Sequence, residues 1–188
     1  MARPRILSGS AKGQVLETPT RGTRPSPARL REAVFDMVQF RPRGPFLDLY
    51  AGSGAVGLEA ASRGFPAVCV ERDRRAAEVV RRNARRLGLD AEVVRADALA
   101  YVRTHPAAFE LVFAAPPYPT DVVEVFRAVL QAGPARAGGR YLFQHPSHLN
   151  VRAALAPELA SLAGAGDEVA SVRRYGNNAI TRVDVPGA

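Results

Sequence analysis

A short apolar run that breaks into closely spaced glycines limits this chain more than any other feature. Phe46-Leu47-Asp48-Leu49 leads into Tyr50-Ala51-Gly52-Ser53-Gly54, and helix-forming residues follow from Ala55. A buried strand that turns sharply into a helix leaves the helix's first amides facing the turn, ready for a ligand. The stretch Gly52-x-Gly54-x-x-Gly57 also satisfies the dinucleotide-binding pattern. The chain is therefore expected to contain an open α/β sheet with a nucleotide-like ligand at its first strand.

The rest of the sequence keeps the same rhythm. Strands are expected at 46–50, 67–71, 92–96, 109–114 and 140–144, with helical patterns at 55–63, 73–87 and 121–131. Short, continuously apolar strands are those of a parallel sheet covered on both faces. Two further strands near 168–174 and 179–185 flank Gly176-Asn177-Asn178 and read as an antiparallel hairpin. The expected fold is a doubly wound, mostly parallel seven-stranded α/β sheet, without internal repeats. Upstream, residues 5–20 alternate weakly around Gly9 and Gly13, as in a short hairpin or irregular arm. A helix carrying Leu30, Val34, Met37 and Val38 follows, with Ser26 as its cap and Pro27 at its first position. Residues 1–45 then form a basic N-terminal extension, and 46–188 the catalytic domain.

Three carboxylates fall at strand ends: Asp48, Glu71 and Asp97. In open α/β sheets the ligand lies there, beyond the carboxyl ends of the strands. Glu71, 19 residues past Gly52, is placed to accept ribose hydroxyls. A dinucleotide would use it equally well. Asp48 discriminates, because a carboxylate just before the turn repels a pyrophosphate and suits a cationic ligand without phosphate. S-adenosylmethionine has a ribose, an adenine, an ammonium and a sulfonium. Asp97 would accept from its adenine amine. Tyr50, Ala51, Gly52, Ser53, Gly54, Arg72 and Ala98 complete the expected donor site. A dinucleotide, or a tight turn without ligand, are the other readings.

The fourth strand, Phe109 to Ala114, runs into Ala115-Pro116-Pro117-Tyr118. Two prolines hold an extended backbone and donate no hydrogen bonds, so carbonyls are left to accept. Tyr118 offers a ring on which a planar base can stack. Such a platform suits an extruded base presenting an amino group.

The net charge of +8 calls for a polyanionic partner, and its position says more than its size. From Met1 to Arg31 there are seven basic residues against one acid, Glu17. A single cysteine, Cys69, excludes an internal disulfide framework, no apolar run is long enough to span a bilayer, and no signal-peptide core follows Met1. A reducing cytoplasm is the expected setting.

At the glycine turn and the proline platform the chain resembles the bacterial 16S ribosomal RNA guanine-N2 methyltransferases of the RsmD-like family. Arg5-Ile6-Leu7-Ser8-Gly9, Gly13, Arg24-Pro25-Ser26-Pro27, Arg29 and Arg31-Glu32 resemble that family's N-terminal segment. Leu58 to Gly64 looks like its first helix, and Tyr175-Gly176-Asn177 like its closing hairpin. The resemblance implies a class I, Rossmann-like methyltransferase. It would use S-adenosylmethionine to modify the N2 amine of a guanine in 16S rRNA, on free RNA or a partly assembled small subunit, as a monomer. Ala115, Pro116, Pro117 and Tyr118 would form the acceptor site, and Lys12, Arg21, Arg24, Arg29 and Arg31 would contact RNA. One departure stands out. The family's fourth motif normally begins with aspartate, and here Ala115 occupies that position. A catalytically impaired SAM- and RNA-binding assembly factor, or an amino-methyltransferase acting on adenine or cytosine in DNA, are the alternatives.

Two other features read as structural. The arginines at 74, 75, 81, 82, 85 and 86 fit a solvated helix face, and His145-x-x-His148 lacks the further ligands that a metal requires.

Overall fold

The computed structural model describes residues 3–19, 26–163 and 169–187. The fold is α/β with a mostly parallel seven-stranded sheet. The chain divides into two compact units, Met1–Ala98 and Leu99–Ala188.

In the first unit, α1 (Ala28–Asp36) precedes β1 (Phe46–Leu49), α2 (Ala55–Ser62), β2 (Ala67–Glu71), α3 (Arg74–Leu87) and β3 (Ala91–Arg95). The three strands lie in the order β3-β2-β1, all parallel, with Asp48 in register with Cys69 and Glu71 with Arg95. Every residue of β1 is buried, as its continuous apolar run requires. Helix α3 shows why its boundaries were legible. Asp73 accepts from the Ala76 amide at 2.8 Å at one end, and Gly88 takes a left-handed φ of 61° at the other. At α1 the cap position belongs to Pro27 itself, one residue later than expected.

The N-terminal arm packs onto this unit. Arg5 and Val15 form an antiparallel bridge, and Ile6, Ala11 and Leu16 pack against Leu58, Cys69, Val80 and Ala84. Ile6 and Leu16 are essentially fully buried, which stabilises the docked arm by roughly 1.5–3 kcal/mol each. Polar groups fix its register. Glu59 accepts from the amides of Leu7 at 2.7 Å and Ser8 at 3.0 Å, and the Ser62 hydroxyl accepts from Ala11 and donates to the Ser8 carbonyl. Gly9 crosses α2 so closely that a Cβ would lie 1.8 Å from the Ser62 carbonyl oxygen, so no other residue fits. The α3 arginines also act here. Arg82 pairs with Glu17, and Arg86 donates to the Val15 carbonyl. This part of the helix face straps down the arm.

In the second unit, β4 (Phe109–Ala114), α5 (Val122–Ala132), β5 (Ala135–Pro146), α6 (Val151–Ala154), α7 (Ala156–Leu162), β6 (Ala170–Tyr175) and β7 (Asn178–Asp184) follow α4 (Ala98–Arg103), whose first residue closes the first unit. The order is β4-β5-β7-β6, with β4 and β5 parallel and the last three antiparallel. Strand β5 begins five residues before the expected 140–144. Ala135 already pairs with Phe109, and a register shift then carries the chain past Gly138-Gly139, which hid the strand's start. The short helices α4, α6 and α7 had too few turns to show periodicity.

Candidate active site

The first unit gathers the expected donor residues at the carboxyl ends of its strands. Tyr50 opens the turn with a φ of 63°, a left-handed conformation that costs a non-glycine residue about 1–2 kcal/mol. Such stored strain is found where a turn must hold one shape for a ligand. Gly52 and Gly54 follow with φ of 57° and 76°. The Ala51 amide donates to the Val70 carbonyl and the Gly54 amide to the Ala51 carbonyl, locking the turn against β2.

Glu71 ties the neighbouring loops together. Its Oε2 accepts from the Gly52 amide and its Oε1 from the Asp73 amide, each at 2.8 Å. The Ala96 amide donates to its backbone carbonyl at 3.3 Å, drawing the end of β3 toward the same point. Each carboxylate oxygen keeps a second lone pair, so the side chain still has room for hydroxyl donors. Asp97 is exposed at the start of α4. Burial and, secondarily, the Asp97 charge push the Tyr50 phenol up to about 12, so these two side chains share one neighbourhood. Ser53 and Ala98 are buried beneath the turn, and Arg72 is exposed beside it.

Asp48 differs from its expected position. Instead of facing a ligand it is 2% exposed, and its Oδ2 accepts from the Gly57 amide at 2.8 Å. It holds the first turn of α2 from behind. Burial raises its carboxyl to about 7, against the lowering effect of the Gly57 bond, and Glu71 adds a smaller raising effect. Gly57 is required here because a Cβ would lie 2.3 Å from the Cys69 sulfur and 3.0 Å from Asp48 Oδ2. Cys69 is fully buried, and its thiol is pushed well above its ordinary value by burial and then by Asp48.

This geometry supplies a better discriminator than the one read from the sequence. A pyrophosphate needs free amides at the glycine turn, and those of Gly52 and Gly54 are already taken. A ribose and an adenine amine need acceptors, and Glu71 and Asp97 provide carboxylates. The donor set fits a nucleoside without phosphates, which S-adenosylmethionine is.

In the second unit, buried β4 delivers Ala115 and Pro116 half-buried and Pro117 exposed. Tyr118 stands 95% exposed, and its bond to Pro119 is cis. The aromatic ring is exposed to solvent. His145 is buried, with Nε2 2.8 Å from the Thr181 hydroxyl and Nδ1 2.9 Å from the Pro146 carbonyl, so both ring nitrogens are engaged within the fold.

The proposed RNA contacts divide. Lys12 and Arg29 are exposed, while Arg21 and Arg24 lie outside the described residues. Arg31 is 2% exposed, and its guanidinium is pushed down by burial while the Glu59 charge pushes it up. It cannot reach an RNA and serves the interior of the first unit. Reading the sequence missed the Glu59 and Ser62 clamp. The signal was available, as two polar side chains three residues apart in an otherwise apolar helix.

The family model described as conserved hypothetical protein 95 matches residues 4–157. A putative rRNA methyltransferase of Bacillus subtilis, YlbH, is 38% identical over 122 residues, which cover 61% of this chain and 66% of that protein. Ribosomal RNA small subunit methyltransferase D of Escherichia coli K12 is 33% identical over 124 residues, covering 64% and 63% respectively. In both, the matched stretch is less than two thirds of the relative's length. A solved hypothetical protein of Thermus thermophilus superposes with a TM-score of 0.81 at 42% identity, over 96% of this chain and 99% of that one.

Proposed function

The chain belongs to the family described as conserved hypothetical protein 95, the RsmD-like family, and from that premise we propose that it methylates the exocyclic N2 amine of a guanine in 16S ribosomal RNA, using S-adenosylmethionine. The observation that carries this reading is the convergence of the strained glycine turn with Glu71 and Asp97, whose acceptors suit a nucleoside and whose turn amides are already spent. S-adenosylmethionine supplies an electrophilic methyl on a sulfonium when bound.

The roles follow from the chemistry of each residue. Glu71 accepts the ribose hydroxyls, and Asp97 accepts from the adenine amine. Tyr50, Ala51, Gly52, Ser53 and Gly54 shape the turn, with Arg72 and Ala98 at its borders. Asp48 is a positioning residue, since it reaches the turn only through Gly57. In the second unit, Pro116 and Pro117 stiffen the segment after β4, the Pro116 carbonyl accepts from the target amine, and Tyr118 stacks on the guanine. Alignment of amine and methyl supplies much of the acceleration. Ala115 contributes no acceptor. Lys12, Arg21, Arg24 and Arg29 hold phosphates, so RNA affinity falls steeply with salt. Functionally, residues 1–45 form the RNA-contacting extension and 46–188 the methyltransferase domain. The protein acts in the cytoplasm as a monomer, on 16S rRNA that is free or within a partly assembled small subunit.

Ala115 favours one second reading, a SAM- and RNA-binding assembly factor with impaired catalysis. Mass spectrometry of small-subunit RNA incubated with the protein and isotopically labelled donor separates the two. Methylated N2-guanine is expected; its absence at saturating donor, with RNA binding intact, would leave the assembly factor.

A further inference from the structure

A second concave site lies in the first unit, away from the glycine turn. It is a cavity of about 210 Å³ bordered by Gly9 of the arm, Gln39 and Arg43 after α1, Arg63 after α2, and the rings of Phe35 and Phe65. That is smaller than the roughly 300–1,000 Å³ of sites for drug-sized ligands. It has room for one small group rather than a whole cofactor.

Its walls carry cations held flat. The Arg43 guanidinium lies 4.5 Å from the centre of the Phe65 ring, and that of Arg63 lies 4.6 Å from the Phe35 ring. Arg43 is fixed by the carbonyls of Gln39 and Arg41, which orient the guanidinium without neutralising it. Arg63 donates to Glu59 at 2.8 Å, but that carboxylate is also committed to the amides of Leu7 and Ser8 and to the charge of buried Arg31. Positive charge is therefore in excess around the cavity. Between two of its lining residues in the chain, Phe40 is 92% exposed; among the described residues it and Tyr118 are the large apolar side chains left to solvent.

Planar guanidinium groups, unneutralised positive charge and a bare aromatic ring are together the chemistry that takes an unstacked nucleotide. A lone exposed phenylalanine needs no explanation, but one that directly follows the lining residue Gln39 and precedes Arg43 of a cationic cavity does. We propose that this cavity is an accessory RNA site: it receives the backbone phosphate of one unpaired nucleotide of the substrate RNA, Arg43 and Arg63 pair with that phosphate, and Phe40 stacks an adjacent base. The site rests on the reading of RNA as substrate, and it anchors the RNA at a distance from the methylated base.

The test compares wild type with Phe40→Ala, Phe40→Trp and Arg43→Ala, measuring affinity for naked small-subunit RNA across a salt series and, separately, affinity for S-adenosylmethionine. Phe40→Ala should weaken RNA binding about fivefold or more, the lower end of what one base stacked on a ring contributes, and Phe40→Trp should restore it. Arg43→Ala should lower the slope of log affinity against log salt by about 1. Donor affinity should be unchanged in all three. A wild type that binds RNA no more tightly than Phe40→Ala and Arg43→Ala do overturns this site alone. A wild type that neither binds nor methylates RNA overturns the functional reading and this site with it. Weakening confined to protein-bearing subunit particles, with naked RNA unaffected, overturns the site in favour of a protein contact.

Discussion

Replacing Asp48 with asparagine tests how the glycine turn is built. The carboxyl is fully buried behind the turn and titrates at about 7 rather than 3.8, chiefly because burial penalises its charge. Above pH 4 the unfolded chain has already lost this proton, whereas the native state keeps it until pH approaches 7. The native state therefore binds more protons in that window, and stability falls as pH rises from about 4 to 7, then levels. From pH 5 to pH 8 the two states differ by nearly two pH units of titration, which is roughly 2–3 kcal/mol at 1.36 kcal/mol per unit. Asparagine has no such titration. Its amide oxygen keeps the bond from Gly57, while its NH2 group, facing the apolar floor near Cys69, adds a pH-independent cost of about 1–3 kcal/mol. Urea unfolding of wild type and Asp48→Asn at pH 5 and pH 8, followed by circular dichroism, isolates the titration from that constant cost. The gap between the two proteins should move by roughly 2–3 kcal/mol in favour of the variant at pH 8. Stability curves that run parallel over this range would refute the argument that a buried, titrating carboxyl supports the turn.

Two further outcomes can be measured, one in each unit. Gly57→Ala should destabilise the protein by about 1–3 kcal/mol despite alanine's better helix propensity, because the new Cβ meets the Cys69 sulfur at 2.3 Å; thermal unfolding checks this, and pairing it with Cys69→Ala should recover much of the loss. Ala115→Asp supplies a carboxylate acceptor at the start of the proline platform and should raise single-turnover methylation by up to about 10²- to 10⁴-fold with donor affinity unchanged. Equal rates would show that alignment alone limits the reaction.

Legibility followed the physics of each element. Strand β1 and helices α2 and α3 were plain because their signals are local: a continuous apolar run, an Asp cap, a terminal glycine. The start of β5 was not, because a pairing shift opposite β4 and two consecutive glycines break the pattern that defines a strand. Among site residues, Glu71 and the glycines stand where spacing puts them. Arg31 does not. It looked like one more cation in a basic segment, and only the packing of α1 against the unit's interior shows that it is buried.

The amino-acid sequence by itself determined the class of fold, the turn that a nucleoside can occupy and the family, because these rest on residue order and short-range stereochemistry. Only the tertiary structure decided which way each carboxylate faces. Asp48 and Glu71 lie at the ends of neighbouring strands, yet one is sealed behind Gly57 and the other bridges the loops that follow β1 and β2. Tertiary packing likewise turned the basic arm into part of the core and left Phe40 exposed beside a cationic cavity. The reason is that orientation and exposure are set by neighbours distant in the chain, and no local pattern records them.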